Sequence, residues 1–247
     1  RVNNSGGGNS AAVLFQGEVD MIIVIPAVFS ASEVTKIRSH LDAADWQDGS
    51  TTAGSQAQQV KHNQQLALDS KVAQQLGDVI INTLSQQPTF VSAALPLRIF
   101  PPMFNRYCTG DTYGLHVDNA IRYVPGNPTP IRTDLSATLF LCDPQDYEGG
   151  ELVIEDNFGS QRIKLNAGDL VLYPSTSLHT VTPVSDGART CAVFWLQSMV
   201  RSNQQRETLF ELDQSVQSLT AELGAGHDDV VRLSGVYHNL IRQWADT

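Results

Sequence analysis

From Leu95 to about Gln197 the chain sustains no helical period. It offers instead seven short runs of β type: Leu97–Tyr107, Ala137–Cys142, Glu151–Glu155, Gln161–Leu165, Leu170–Tyr173, His179–Val184 and Thr190–Leu196, separated by Gly, Pro, Asn and Asp. Many short strands at close spacing predict an antiparallel sandwich or barrel. Helical patterns flank this region on both sides. Ahead of it, a short apolar strand, Ile22–Ile25, leads into Ser30-Ala31-Ser32-Glu33, a capping box that opens a helix with Val34, Ile37, Leu41 and Ala44 on one face, running to about Trp46. A second helix is expected from near Ser70, with Val72, Leu76, Val79, Ile80 and Leu84 at helical spacing and Pro88 as its stop. Two helices thus precede the sheet region. Residues 47–66 have no period and read as a loop or an irregular edge strand, and 120–133, with Pro125, Gly126, Pro128 and Pro130, reads as a long irregular loop of the kind that often carries function. Behind the strands, Leu209, Leu212, Val216, Leu219 and Leu223 form one helical stripe. After a Gly224-Ala225-Gly226 break, Val230, Leu233, Tyr237, Leu240, Ile241 and Trp244 form another, which predicts a helical hairpin. Its stripes fit the body of the fold or a second copy of the chain, so a homodimer through these helices is one expectation.

A chain of 247 residues with 41% hydrophobic side chains can bury one sizeable core. The formal net charge of −10, with no Lys/Arg run, argues against nucleic acid or an anionic membrane as partner. Cys108, Cys142 and Cys191 are odd in number and far apart, which supports neither a disulfide framework nor a CxxC site and fits a reducing, cytoplasmic setting. No apolar run reaches the roughly 20 residues of a membrane span. Val13-Leu14-Phe15-Gln16-Gly17 resembles the recognition site of a viral 3C-type protease used to remove tags, so residues 1–20 are expected to be an expression tag or linker and Met21 the natural start. The expected division is then a main domain over residues 21–200 and the helical hairpin over 201–247.

The chemistry concentrates in Asn105-Arg106-Tyr107-Cys108-Thr109-Gly110-Asp111-Thr112-Tyr113-Gly114-Leu115-His116-Val117-Asp118, with Leu178-His179 and Arg189 further on. Residues two apart on a strand share a face, so His116 and Asp118 can present an imidazole and a carboxylate to one point. Alone, such a pair is as consistent with a simple hydrogen bond. Ala167-Gly168-Asp169-Leu170-Val171-Leu172-Tyr173-Pro174 adds a turn and a β-run that would deliver His179 to the same place. Two histidines and one carboxylate form a facial set that leaves three positions open, the arrangement of non-haem iron(II) oxygenases. Arg189 follows His179 by ten residues. A guanidinium grips a carboxylate through a charged fork at any relevant pH, so an arginine beside such a metal is the expected anchor for a dicarboxylic 2-oxo acid.

H-x-D, a distal His and an Arg ten residues later resemble the signature of iron(II)- and 2-oxoglutarate-dependent dioxygenases. The NRY…YG-x-H-x-D stretch resembles their prolyl-4-hydroxylase-like branch, and more closely the bacterial PKHD-type hydroxylases associated with iron uptake. The resemblance runs from about Met21 to the end of the chain. It implies an α+β fold: a double-stranded β-helix (jelly-roll) barrel with flanking N-terminal helices and a C-terminal helical hairpin. It implies iron(II) held by His116, Asp118 and His179, 2-oxoglutarate held by Arg189, and Tyr107 near that co-substrate. It further implies O2 as oxidant, succinate and CO2 as products, hydroxylation of a C–H bond, and ascorbate as a candidate reductant. Related halogenases carry a small residue in place of the carboxylate, and Asp118 therefore points to hydroxylation.

Two alternatives stand beside this reading. Gly110 before His116, and Gly168 and Pro174 before His179, partly fit the two cupin motifs, although Asp118, Thr176 and Pro183 depart from them. A barrel that binds iron without turnover, with the C-terminal hairpin as its working surface, is the other. The primary substrate, a small molecule or a protein, is not legible. Arg122, Tyr123 and Arg132 in the 120–133 segment are the candidate rim residues for its recognition.

Overall fold

The computed structural model describes residues 13–15, 22–52, 60–156 and 159–247, and the tag expectation for residues 1–20 falls mostly outside them. Seventeen strands and five α-helices are found there. The strands are β1 Val13–Phe15, β2 Ile22–Ile25, β3 Trp46–Asp48, β4 Lys61–His62, β5 Gln64–Leu66, β6 Pro96–Ile99, β7 Met103–Cys108, β8 Thr112–His116 and β9 Ile121–Tyr123. There follow β10 Pro130–Arg132, β11 Leu135–Phe140, β12 Tyr147–Gly149, β13 Leu152–Asp156, β14 Gly159–Ile163, β15 Leu170–Pro174, β16 Leu178–Val181 and β17 Val184–Ser198. The helices are α1 Ala31–Asp42, α2 Lys71–Ser85, α3 Pro88–Ala94, α4 Asn203–Leu223 and α5 Asp228–Trp244.

All strand pairings are antiparallel, and they make a mixed helix-and-sheet molecule. A ten-stranded sheet runs β1-β2-β15-β11-β17-β7-β5-β3, with β6 and β12 also paired to β17, and a five-stranded sheet runs β14-β13-β16-β8-β4. Alternation sorts the side chains of the larger sheet. Ile23, Ile25, Leu170, Leu172 and Phe194 face α1, α2 and α3, packing with Ile37, Leu41, Ile80, Leu84 and Phe90. Ile22, Val24, Val171, Tyr173 and Phe140 point the other way and meet Leu152, Ile154 and Ile163 of the smaller sheet. Because both faces are covered, β11 and β15 are buried at every position, and β15 reads as a continuous run rather than an alternating one.

Several boundaries differ from the sequence expectation. The capping box forms at Ser30 and Glu33, but α1 stops at Asp42 and Trp46 opens a strand. Pro88 does end the α2 pattern, and it also begins α3, since its fixed φ and missing N–H suit a first helical position; three α-helices, not two, precede the run of strands that starts at β6, and β1–β5 are interleaved with them. Part of the 47–66 segment is strand: β3 and β4 end their sheets, and β5 lies between β3 and β7. The proline-rich 120–133 segment holds a two-stranded antiparallel ribbon, β9 with β10. Pro101 and Pro102 split the expected Leu97–Tyr107 strand into β6 and β7.

Gly168 shows why one glycine is required. At φ +94° it turns the chain into β15, and a Cβ there would lie 2.1 Å from the Phe29 carbonyl oxygen. Asp169 locks the same turn, its Oδ1 accepting from the Ala27 N–H at 2.8 Å.

Candidate metal and co-substrate site

His116 is the last residue of β8 and His179 the second of β16, and these strands pair with the two histidines directly opposite each other. Cross-strand neighbours place their Cβ atoms about 5 Å apart, so register alone brings the rings together. Their centroids are 4.2 Å apart. Asp118 lies just beyond β8, and its Oδ2 is 3.7 Å from His179 Nε2. One ligand atom from each of the three residues falls within 4.8 Å of the others, a spacing one metal ion can bridge.

The supporting contacts orient the set toward a metal. His116 Nδ1 is 2.8 Å from the Gly114 carbonyl and His179 Nδ1 is 3.0 Å from the Ser177 carbonyl, so in each ring the Nδ1–H is held and Nε2 keeps its lone pair for the metal. Ser136 Oγ donates to Asp118 Oδ2 at 2.7 Å and is itself 2.8 Å from Ser175 Oγ. Tyr113 stacks on His116 at 3.6 Å between centroids. Burial first, and then the neighbouring His179, push the His116 imidazole down to about 4, so it is neutral and able to ligate near pH 7.

Arg189 and Tyr107 come from the larger sheet, where they are register partners on β17 and β7. Both line the cavity that contains His116, Asp118 and His179, which is about 740 Å³ counted with its open mouth and within the usual range for ligand pockets. Arg189 is only 1% exposed. Its Nη1 donates to Cys191 Sγ at 3.1 Å, its Cζ lies 5.3 Å from the Tyr107 ring, and no carboxylate of the described residues pairs with it. Buried polar atoms nearly always have partners. Here Arg189 Nε, Asn105 Oδ1, Arg122 Nε and Trp195 Nε1 lack them among the described residues, and all four side chains line this one cavity. The residues present therefore fit a metal ion together with an anionic ligand.

The three rim candidates part company. Arg122 enters the cavity. Tyr123, next to it on β9, is 63% exposed and turned away. Arg132 is held by Asp134, with Nε–Oδ1 at 2.6 Å and Nη2–Oδ2 at 2.9 Å, and does not line the cavity. Sequence reasoning passed over Ser136, Lys61 and Trp195. Ser136 and Thr138 alternate with Leu135, Ala137 and Leu139 along β11, and polar residues at every second place of an otherwise apolar strand were a readable sign of a polar cavity.

Comparison with known proteins agrees with this geometry. Residues 102–197 match the 2OG-Fe(II) oxygenase superfamily and residues 203–246 match the PKHD-type hydroxylase C-terminal domain. A PKHD-type hydroxylase of Methylobacillus flagellatus is 55% identical over 227 residues, covering 92% of this chain and 100% of that protein. One from Shewanella baltica is 58% identical over 226 residues, again covering 92% of this chain and 100% of the relative. Among solved structures, a Trichoplax adhaerens prolyl hydroxylase in complex with a hypoxia-inducible-factor peptide shares the fold, with a TM-score of 0.53 at 14% identity over 76% of this chain and 86% of that one. The chain belongs to the PKHD-type hydroxylases and is a 2-oxoglutarate-dependent dioxygenase that uses iron(II).

Proposed function

We propose that this protein hydroxylates a C–H bond of a primary substrate, coupled to conversion of 2-oxoglutarate and O2 to succinate and CO2. The two facing sheets would form the jelly-roll barrel of such enzymes. In this reading His116, Asp118 and His179 hold iron(II), and Arg189, backed by Tyr107, receives the remote carboxylate of 2-oxoglutarate. When bound, the metal and co-substrate supply the oxidising chemistry. The chain ligates, orients and excludes water: Ser136 fixes the Asp118 carboxylate, and the two backbone carbonyls fix the imidazole planes. The single observation that carries the reading is Arg189, a buried cation without a carboxylate partner among the described residues, in the same cavity as the three ligands. An isolated buried charge is costly, so its neutralisation by an incoming anion is a strong source of binding. Family membership selects this reading over the cupin alternative.

The test is succinate formation from 2-oxoglutarate by anaerobically reconstituted iron(II) protein on admission of O2. Wild type should release succinate even without primary substrate, at an uncoupled rate. Asp118→Ala should reduce that rate by at least about 100-fold, because the only anionic ligand is lost. Arg189→Leu should raise the 2-oxoglutarate requirement on the order of 10- to 100-fold, as expected for loss of a charge-assisted pair, and leave metal affinity unchanged. Wild-type turnover in Asp118→Ala would sink the assignment.

A further inference from the structure

The cavity holds more positive charge than the co-substrate needs. Iron(II), the Asp118 carboxylate, the two carboxylates of 2-oxoglutarate and the Arg189 guanidinium together carry no net charge. Arg122 and Lys61 line the same cavity and stand outside that balance. They do so in a chain whose net charge is −10, so the local excess of cations is not a by-product of a basic protein. Arg122 lies over the Trp195 ring, its Cζ 3.3 Å from the centroid, with Phe100 at 5.5 Å. Stacking fixes the plane of the guanidinium and leaves its N–H groups unanswered: it forms no hydrogen bond or ion pair among the described residues, and its Nε is buried without an acceptor. Trp195, beneath it, is likewise buried, with its indole N–H unpaired among the described residues. Asp118 attracts Arg122 through its charge but forms no ion pair with it, and its Oδ2 accepts from Ser136. A cluster of donors without acceptors selects a group that only accepts, and a carboxylate is the compact one.

The surroundings define the rest of the ligand. Met103, Val117, Val193 and Trp195 line the same cavity. Apolar walls set about a few polar groups are the usual make-up of a pocket that takes a largely apolar ligand.

We propose that Arg122, stacked on Trp195, recognises a carboxylate on the primary substrate, and that the substrate is therefore an acid with an apolar body. This rests on the reading that Arg189 holds 2-oxoglutarate. The test uses the protein loaded with zinc(II), which has no redox chemistry, and saturated with 2-oxoglutarate. Calorimetric titration compares 4-phenylbutyrate with its uncharged amide, and acetyl-Leu-Asp-Leu-amide with its Asn counterpart. These two arms separate a free acid from an acidic side chain in a peptide. At least one acid should bind about tenfold more tightly than its neutral partner. Arg122→Gln should erase that preference and Arg122→Lys should retain part of it, with 2-oxoglutarate affinity unchanged in both. Equal affinity of acid and neutral partner, no detectable binding of either acid, or a preference that survives in Arg122→Gln overturns the inference while Arg189→Leu still weakens 2-oxoglutarate binding. If Arg122→Gln weakens 2-oxoglutarate binding and Arg189→Leu does not, Arg122 is the co-substrate anchor and both readings fall together.

Discussion

Lys61 lies on β4, buried at the wall of the cavity, where its ammonium donates to Gln65 Oε1 at 2.9 Å and faces the Tyr113 ring at 5.7 Å. Burial, and then the charge of Arg122, push it down to about 8 from 10.5. The sign of the linkage follows: with the folded value below the unfolded one, the folded chain loses this proton first, so between about 8 and 10.5 the unfolded state holds more protons and stability rises with pH. Below that window both states are charged and the cost of burial is present in full, at most about 3 kcal/mol. The Cys142 thiol, pushed up by burial to about 11, works in the opposite sense above 9. The informative quantity is therefore the difference in unfolding free energy between Lys61→Met and wild type by urea denaturation. Loss of the Gln65 contact adds a constant offset, while the pH-dependent part should favour the variant near neutrality and fade across the window. A difference independent of pH would show that the lysine is not desolvated as described. The residue scale also separates what the sequence disclosed from what it hid. His116, Asp118, His179 and Arg189 announce themselves because their types and spacing encode chemistry. Ser136 is marked only by the polar alternation of its strand, while Lys61 and Trp195 reach the cavity through strand pairings with distant partners and nothing local marks them.

At the scale of elements, the joint between β17 and α4 depends on a buried cation that local pattern does not predict. Arg206, within the first turns of α4 and only 1% exposed, sends Nη1 to the carbonyls of Val200 at 2.7 Å and Arg201 at 2.8 Å, with Nη2 on Asn203 Oδ1. These bonds close the corner over which the hairpin folds back, so that Val200 and Leu209 pack with Leu95 and, from α5, with Tyr237, Leu240, Ile241 and Trp244. Arg206→Leu keeps bulk and removes the donors, leaving two carbonyls unanswered at a cost of about 3 kcal/mol. Limited proteolysis should then cut near residue 201 faster than in wild type, with far-UV helicity nearly preserved. Unchanged proteolysis would mean that the apolar contacts alone hold the hairpin. The helices themselves were legible: the capping box at Ser30, the stripe of α2 and the glycine break before α5 all carry local chemistry. The ribbon of β9 and β10 was not, because Pro125, Pro128 and Pro130 imitate an irregular loop. Pro130 is tolerated as the first residue of a two-stranded edge, where no N–H is needed from it.

Across the whole molecule the antiparallel character was readable from the spacing of short runs, whereas the order of strands was not. The pairing of β2 with β15 sets Val24 against Val171, and that of β11 with β17 sets Ala137 against Phe194; such partners are chosen by the fit of two sheets and three helices, a property of no single segment. The same topology divides the candidate site between layers. His116 and His179 belong to the five-stranded sheet, Arg189 and Tyr107 to the ten-stranded one. A metal alone engages one sheet, together with Asp118 beyond β8, whereas a metal with 2-oxoglutarate ties one sheet to the other. Ligands that bind only the folded state stabilise it by mass action, by about 2.7 kcal/mol at a hundredfold excess over Kd, and in a chain of this size each kcal/mol moves the midpoint of thermal unfolding by roughly 2–4 °C. Manganese(II) with saturating 2-oxoglutarate should therefore raise Tm by about 5–10 °C beyond manganese(II) alone under anaerobic conditions. At the same 2-oxoglutarate concentration the increment should fall to about half or less in Arg189→Leu and persist in Arg122→Gln, because only the first removes the co-substrate's link to the larger sheet. An increment of equal size in Arg189→Leu would place the co-substrate wholly on the metal side of the cavity and remove the role assigned to that arginine.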